Sequence, residues 1–136
     1  EEGFAPDLKN PTNDANDIAS ELAKVGFSTK VVINPNGTDL ENSLFEFGET
    51  IEQSGSDAIS LIYFAGHGIQ VQGTNYLVPA GAKLPAIDFA RWPEARIERQ
   101  LSGFATPAHI LYERFLEPSA PGVNLIILDA CRHNPW

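Results

Sequence analysis

Cysteine is the scarcest reactive residue in this chain, since its 136 residues contain a single one, Cys131. A lone thiol excludes an internal disulfide and any metal site built from several cysteines. Basic residues are also few, and the formal net charge is -9. Nucleic-acid binding needs a surplus of positive charge, so this balance argues against nucleic acid as a partner. The acidity suits a cationic substrate or partner, although solubility alone explains it equally well.

Long apolar runs and internal repeats are missing as well. No apolar stretch approaches the roughly 18 residues that a membrane-spanning helix needs, so we expect no membrane span. The length is that of one domain, large enough to bury a core. The chain begins at Glu1 rather than at methionine, so an upstream segment such as a signal peptide could be absent from it. The sequence leaves a cytoplasmic and an exported location both open.

Helix and strand patterns alternate along the first half of the chain. Apolar residues at i, i+4 and i+7 predict a first helix that begins near Asp14 and reaches about Val25. A β-branched run predicts a strand over Phe27–Ile33. A capping box of Thr38 and Glu41 then predicts the start of a second helix. Helix, strand, helix and strand in this order imply an α/β fold with a parallel sheet and helical crossovers.

Two apolar runs each lead to a chemically reactive residue. Residues 124–128 predict a strand buried on both faces, which stops at Asp129, two residues before Cys131. Residues 59–64 have the same character and lead to His67, which has a glycine on each side. Open α/β sheets place ligands and chemistry at the carboxyl ends of their strands. If these two strands are neighbours, His67 and Cys131 lie side by side at one rim, as a base and a nucleophile.

Each of these residues also has a purely structural interpretation. A single cysteine after an apolar strand is commonly a small buried hydrophobe. Asp14 could simply cap the first helix, and Asp129 could bind backbone amides at the strand end. Two glycines around His67 favour the chemical interpretation, because they let the backbone turn sharply and approach a substrate closely. A histidine that only fills a core would not need them.

The second half of the chain is patterned less clearly. Residues 69–78 predict a hairpin whose turn lies near Gly73. A short helix is expected within residues 94–101. Another helix is expected to begin at Thr106-Pro107 and to include Tyr112 in its apolar face.

Four short motifs together resemble one family. Residues 63–68 (Tyr-Phe-Ala-Gly-His-Gly) and 129–132 (Asp-Ala-Cys-Arg) are similar to the two catalytic signatures of the caspase-like cysteine peptidases, the clan of caspases and metacaspases. Residues 75–79 and 8–15 resemble the bacterial caspase-like and metacaspase branch. The resemblance covers residues 8–136 and implies a caspase-like α/β fold, with a mostly parallel sheet flanked by helices.

The resemblance implies a role for each residue of the site. Cys131 would be the nucleophile and His67 the base, and later the acid, of acyl transfer. The backbone N–H groups of Gly68 and Cys131 would form the oxyanion hole. Asp129 and Asp14 match aspartates of the metacaspase specificity pocket, which implies cleavage after Arg or Lys. Such a dyad requires no metal or other cofactor. Calcium activates some metacaspases, but no calcium loop is recognisable in this sequence.

The resemblance also implies that part of the family's fold lies outside this chain. The chain opens where the first sheet strand of the family would just have ended, and it stops before the small-subunit part. We therefore expect residues 1–136 to be a single catalytic large-subunit domain. A small-subunit segment or a second chain would complete the sheet, because an unpaired edge is a liability. Two alternatives are a non-catalytic caspase-like interaction module and a related hydrolase with legumain- or separase-like specificity.

Overall fold

Two helices precede the first strand in a computed structural model that describes residues 10–83, 85–116 and 122–133, without the side chains of 114–116 and 131–133. The helices are α1 (Asn10–Lys24), α2 (Gly37–Ser54), α3 (Glu94–Ser102) and α4 (Ala108–Ile110), which continues as a π-helical turn (Leu111–Leu116). The strands are β1 (Ile59–Val71), β2 (Thr74–Leu77), β3 (Thr106–Pro107) and β4 (Val123–His133).

A four-stranded sheet in the order β3-β2-β1-β4 forms the centre of the fold. β1 and β4 are parallel, and their register runs from Ile59 opposite Val123 to Ile69 opposite His133. A hydrogen bond between the side chains of Ser60 and Asn124, which are register partners, fixes the start of this pair. The predicted α/β fold is confirmed, and the predicted neighbouring strands pair in parallel. The β2 and β3 pairs are antiparallel and make the sheet mixed.

The hairpin between β1 and β2 turns at Gln72 and Gly73. Both residues have positive φ, 49° and 83°. Two-residue hairpin loops use such conformations because their twist matches that of the flanking strands. The hairpin near Gly73 is therefore confirmed, and so is the short helix predicted within residues 94–101, which is α3.

The two faces of β1 are covered by different helices. Ile62 and Phe64 pack against a cluster that α2 and the π-helical turn supply, in which Leu40, Leu44 and Leu111 are buried. Side chains alternate between the faces of a strand, so Tyr63 and His67 belong to the opposite face. Helix α1 contacts β1 as well, although none of its residues is fully buried.

Two predicted helix starts are wrong. Asp14 does not cap the first helix, because Asn10 is already helical and Asp14 lies within α1. The second helix begins at Gly37, and its cap is Asn36, whose side-chain oxygen accepts a hydrogen bond of 2.9 Å from the N–H of Asp39. An asparagine just before the first helical residue caps as well as serine or threonine does, and here it displaces the expected capping box of Thr38 and Glu41.

The helix predicted from Thr106-Pro107 forms only in part. Those two residues pair with β2 as β3, and the helical segment that follows continues as a π-helical turn. A π-helical turn takes more residues than an α-helical one and so changes which side chains share a face. Tyr112 is 47% exposed, so its expected place in the apolar face is wrong.

The predicted strand over Phe27–Ile33 is also wrong, since the described chain forms no strand there. Val31, Val32 and Ile33 are each exposed by 38–42%. A cavity of about 670 Å³ is lined by every residue from 27 to 35 and by every residue from 61 to 67. A strand needs a hydrogen-bonded partner beside it. This cavity occupies the place where the segment could meet one.

Gly122, just before β4, lies in close contact with the backbone just before β1. A Cβ there would lie 1.9 Å from the backbone oxygen of Ala58, which cannot move aside as a side chain can. We expect Gly122→Ala to lower the free energy of unfolding by about 1–3 kcal/mol or more. Gly103→Ala is the matched control, because a Cβ there makes ordinary contacts and φ is -77°. Thermal unfolding of both variants checks this, and equal melting temperatures would contradict it.

Candidate active site

His67 and Cys131 are register partners on the parallel strands β1 and β4. His67 is half-buried, and its carbonyl accepts a hydrogen bond of 2.9 Å from the N–H of Val78 beyond the hairpin. The histidine backbone is therefore held by β4 on one side and by the hairpin on the other. The side chain of Cys131 lies outside the described part of the chain, so the structure fixes only its backbone position.

The glycines around His67 do not turn the chain, and that expectation is wrong. β1 continues through Gly66, His67 and Gly68 to Val71, and neither glycine has a positive φ. At Gly66 the reason for glycine is space, because a Cβ would lie only 3.1 Å from the ring of Phe64. The reactive position is thus inside a strand and not in a loop.

Gly68 is paired on both sides within the sheet. Its register partners are Leu77 of β2 and Arg132 of β4. Because the His67 carbonyl points to the hairpin, strand alternation directs the N–H of Gly68 toward β4. An oxyanion-hole donor has to be free of other acceptors. The role of Gly68 therefore requires β4 to separate from β1 at this point, and it stays a prediction.

Asp129 shares a face of the sheet with His67. It stands opposite Ala65, and alternation along β1 and β4 places Tyr63, Ala65 and His67 on the same face as Asp129. The Asp129 side chain is exposed. A carboxylate thus lies on the same strand as the predicted nucleophile, one alternation before it.

Tyr63 lies in the candidate site, although nothing in the sequence singles out its side chain. Its hydroxyl donates a hydrogen bond of 3.1 Å to Oδ2 of Asp129. Partial burial, this hydrogen bond and the negative charge of Asp129 all raise the pKa of Tyr63 above its usual value near 10. The only sequence signal that could have revealed it is its spacing of four residues from His67, which puts both on one face.

Asp14 approaches the same phenol from helix α1. It is half-buried, and its negative charge also contributes to the raised pKa of Tyr63. The structure thus brings both predicted pocket aspartates, Asp14 and Asp129, into the neighbourhood of one hydroxyl. Freed from capping, Asp14 has a carboxylate that can take part in a binding pocket.

The described ranges hold neither a metal-binding cluster nor a membrane-spanning helix. In residues 10–83, 85–116 and 122–133, no three acidic, histidine or cysteine side chains gather as they would around a metal ion. No helix in these ranges has the length and apolarity to cross a bilayer.

Similarity to known proteins agrees with this arrangement. The family model of the caspase domain, named for peptidase family C14, matches residues 2–135. The chain belongs to the caspase domain family. A human relative, mucosa-associated lymphoid tissue lymphoma translocation protein 1, is 25% identical over 127 residues, which is 93% of this chain. The chain spans only 13% of that protein's length. Membership of this family explains the α/β fold.

The coupling between Tyr63 and Asp129 predicts a change in phenol titration. We expect Asp129→Asn to lower the pKa of Tyr63, because the substitution removes the negative charge that disfavours the phenolate. The folded state of the unsubstituted protein holds the phenolic proton more tightly than the unfolded chain does. This contribution to stability is therefore complete below about pH 10 and is lost as the pH rises through the raised pKa.

Alkaline titration of phenolate absorbance measures the effect. The signal of Tyr63 is the difference between a protein and its Tyr63→Phe variant, determined both with Asp129 intact and in the Asp129→Asn background. Asp57→Asn is the matched control, because it removes an equal charge from an exposed site before β1. An unchanged Tyr63 titration in Asp129→Asn would contradict the coupling.

Proposed function

We propose that this chain is the catalytic domain of a cysteine endopeptidase that uses His67 and Cys131 as a dyad. The single observation that carries the proposal is their pairing in register at the carboxyl end of two parallel strands. That is where α/β sheets place their chemistry. Membership of the caspase domain family supports a peptide or protein substrate.

The chemistry follows from the two side-chain types. His67 takes the thiol proton of Cys131, and the thiolate attacks the scissile carbonyl carbon to form a tetrahedral oxyanion. The oxyanion collapses, the C–N bond breaks, and the imidazolium of His67 gives its proton to the leaving amine. Water activated by His67 then hydrolyses the thioester and returns the thiol. The N–H groups of Gly68 and Cys131 would stabilise the oxyanion once the strand ends separate.

Cleavage after Arg or Lys is the specificity that the acidic residues support. Asp14 and Asp129 lie near Tyr63 on the face of the sheet that carries His67. Two carboxylates attract a cationic side chain, and a carboxylate can bind a guanidinium with two parallel hydrogen bonds. Calcium activation stays part of the proposal, to be tested with the activity itself.

A non-catalytic interaction module of the same family is the second candidate. The observation that favours it is the apolar side of β4, where Leu125 is 43% and Ile127 46% exposed. Apolar side chains on a strand at the edge of the described sheet are suited to contact with another segment or chain. A small-subunit segment of a peptidase would use the same surface, so turnover discriminates between the two. A peptidase of this clan with another specificity would cleave a different peptide.

Release of a fluorophore from short peptides ending in Arg, Lys or Asp tests the activity. The protein is assayed with and without calcium. We expect cleavage of the Arg and Lys peptides, and we expect Cys131→Ala to reduce it to background because the nucleophile is gone. Cleavage of the Asp peptide alone would keep the nucleophile and overturn the acidic pocket. No cleavage by the folded protein would favour the interaction module.

A substitution of Asp129 tests the acidic pocket separately from the nucleophile. We expect Asp129→Asn to lower kcat/KM for the Arg peptide by roughly 10- to 100-fold, the size expected for hydrogen bonds to a charged group. Asp57→Asn is the control, since it makes the same change of net charge at an exposed site away from the strand ends. Equal activity of the two variants would remove Asp129 from the pocket.

We further propose that another strand of the same polypeptide completes the sheet inside the cavity beside β1. Residues 61–67 line this cavity without interruption, and so do residues 27–35. Consecutive residues of a strand point to alternate faces, so the uninterrupted lining by residues 61–67 indicates that β1 borders the cavity along its backbone edge. Helices α1 and α2 also line it, with Ile18, Leu22, Leu44 and Phe47 among the contributors. An extended apolar strand fits beside the backbone edge of β1, in the space that residues 27–35 and the two helices enclose.

The alternative occupant is a small apolar ligand, since the cavity volume of about 670 Å³ falls in the usual range of roughly 300–1,000 Å³ for ligand pockets. The backbone of β1 favours a strand. Because the His67 carbonyl points to the hairpin side, alternation directs the N–H groups of Leu61, Tyr63 and Ala65 to the cavity side of β1. A strand supplies acceptors for these donors, whereas an apolar ligand does not.

Amide hydrogen exchange distinguishes the two occupants. We expect the amides of Leu61, Tyr63 and Ala65 to exchange much more slowly in the longer parent polypeptide than in the 136-residue chain, because a new strand would bond them. The amides of Ile62 and Phe64, which face β4, are the internal control and should be protected in both. Equally fast exchange of the first set in both proteins would rule out the added strand.

A further inference from the structure

The hydroxyl of Tyr63 connects the sheet to the exposed carboxylate of Asp129. Tyr63 stands opposite Ile127, so its 3.1 Å hydrogen bond to Oδ2 of Asp129 crosses diagonally from β1 to β4. The bond therefore runs along the strands toward the end that carries His67 and position 131. It uses one lone pair of Oδ2, and because each carboxylate oxygen has two lone pairs, both oxygens can still accept hydrogen bonds from a bound cation.

The orientation of a carboxylate matters more for binding arginine than for binding lysine. A guanidinium is planar and binds a carboxylate through two parallel N–H donors, so it requires the plane of the carboxylate to be set. An ammonium is a compact charge with three rotatable donors and tolerates many orientations. An exposed aspartate such as Asp129 rotates freely unless a neighbour holds it.

We propose that Tyr63 is a specificity-determining positioning residue, whose hydroxyl holds the Asp129 carboxylate in the plane that an arginine side chain reads. This rests on the proposed peptidase function and adds to it a preference for Arg over Lys. Asp14 supplies negative charge from α1 on the same side, so it attracts both cations. The Tyr63 hydroxyl, by orienting Asp129, favours arginine over lysine.

Tyr63→Phe removes only the oxygen and tests the proposal. We expect kcat/KM for the Arg peptide to fall about tenfold, the effect of one hydrogen bond to a charged group. The loss should lie mainly in KM, because the hydroxyl orients a binding group and touches no reacting atom. For the Lys peptide we expect a loss of less than about threefold, so the ratio of Arg to Lys cleavage falls.

Two controls separate positioning from damage to the fold. Tyr112→Phe makes the same deletion at an exposed tyrosine on the π-helical turn and should leave both peptides unaffected. The rate of Cys131 alkylation and the melting temperature of Tyr63→Phe should stay close to those of the unsubstituted protein. A double-mutant cycle is the third readout, since Tyr63→Phe should have no further effect on Arg cleavage in the Asp129→Asn background.

Three results would overturn the proposal. They are equal losses for the Arg and Lys peptides, a loss confined to kcat, or additive effects of Tyr63→Phe and Asp129→Asn. Failure of the peptidase function itself is distinguishable, because the unsubstituted protein would then cleave neither peptide. Cleavage by the unsubstituted protein with an unchanged Arg-to-Lys ratio in Tyr63→Phe would leave the peptidase intact and remove only the role of Tyr63.

Discussion

The parallel pairing of β1 with β4 is the interaction on which the rest of the structure depends. A slip of one residue would move every side chain to the other face of the sheet. The two faces make opposite demands, because Ile62 and Phe64 pack on the α2 cluster while Tyr63 bonds to Asp129 on the other side. The hydrogen bond between Ser60 and Asn124 adds a polar lock at the start of the pair. The same register that satisfies the core therefore sets His67 beside position 131.

Features set by local composition could be predicted from the sequence. The two apolar runs form strands, and the turn at Gly73 and the helix over residues 94–101 appear where their patterns indicate. The prediction that the second run stops at Asp129 and is buried on both faces is wrong, because β4 continues to His133 and the side chains of Leu125, Ile127 and Leu128 are 40–46% exposed. Features that depend on a distant partner could not. Phe27–Ile33 has the composition of a strand but lines a cavity, and strand propensity cannot reveal that the neighbouring edge is unoccupied. The end of β1 could not be predicted either, because a glycine that makes room for a ring, as Gly66 does, resembles a glycine that makes a turn.

Some residues of the candidate site could likewise be predicted from the sequence, whereas others could not. The strand ends indicate His67, position 131 and Asp129; the structure pairs His67 with position 131 in register and places Asp129 on the same face of the sheet as His67. Tyr63 could not be identified because its partner is 66 residues away in sequence, and only the register brings the two together. Asp14 resembles a cap because aspartate is favoured there, whereas the helix starts earlier and leaves its charge near the phenol. Family membership supports the fold, and the roles of these residues are proposals.

His67 and position 131 are held in the sheet to different degrees, because β4 lies at the edge of the described sheet. Within the described residues β1 has neighbours on both sides at His67, whereas β4 pairs with β1 alone. A strand bonded on one side opens locally at lower free energy than one bonded on both. His67, the proposed base, is thus held on both sides, whereas position 131, which carries the proposed nucleophile, lies on the strand that opens more easily. A change that strengthens or weakens the pairing of β4 with β1 therefore alters the distance between His67 and position 131 without moving the histidine.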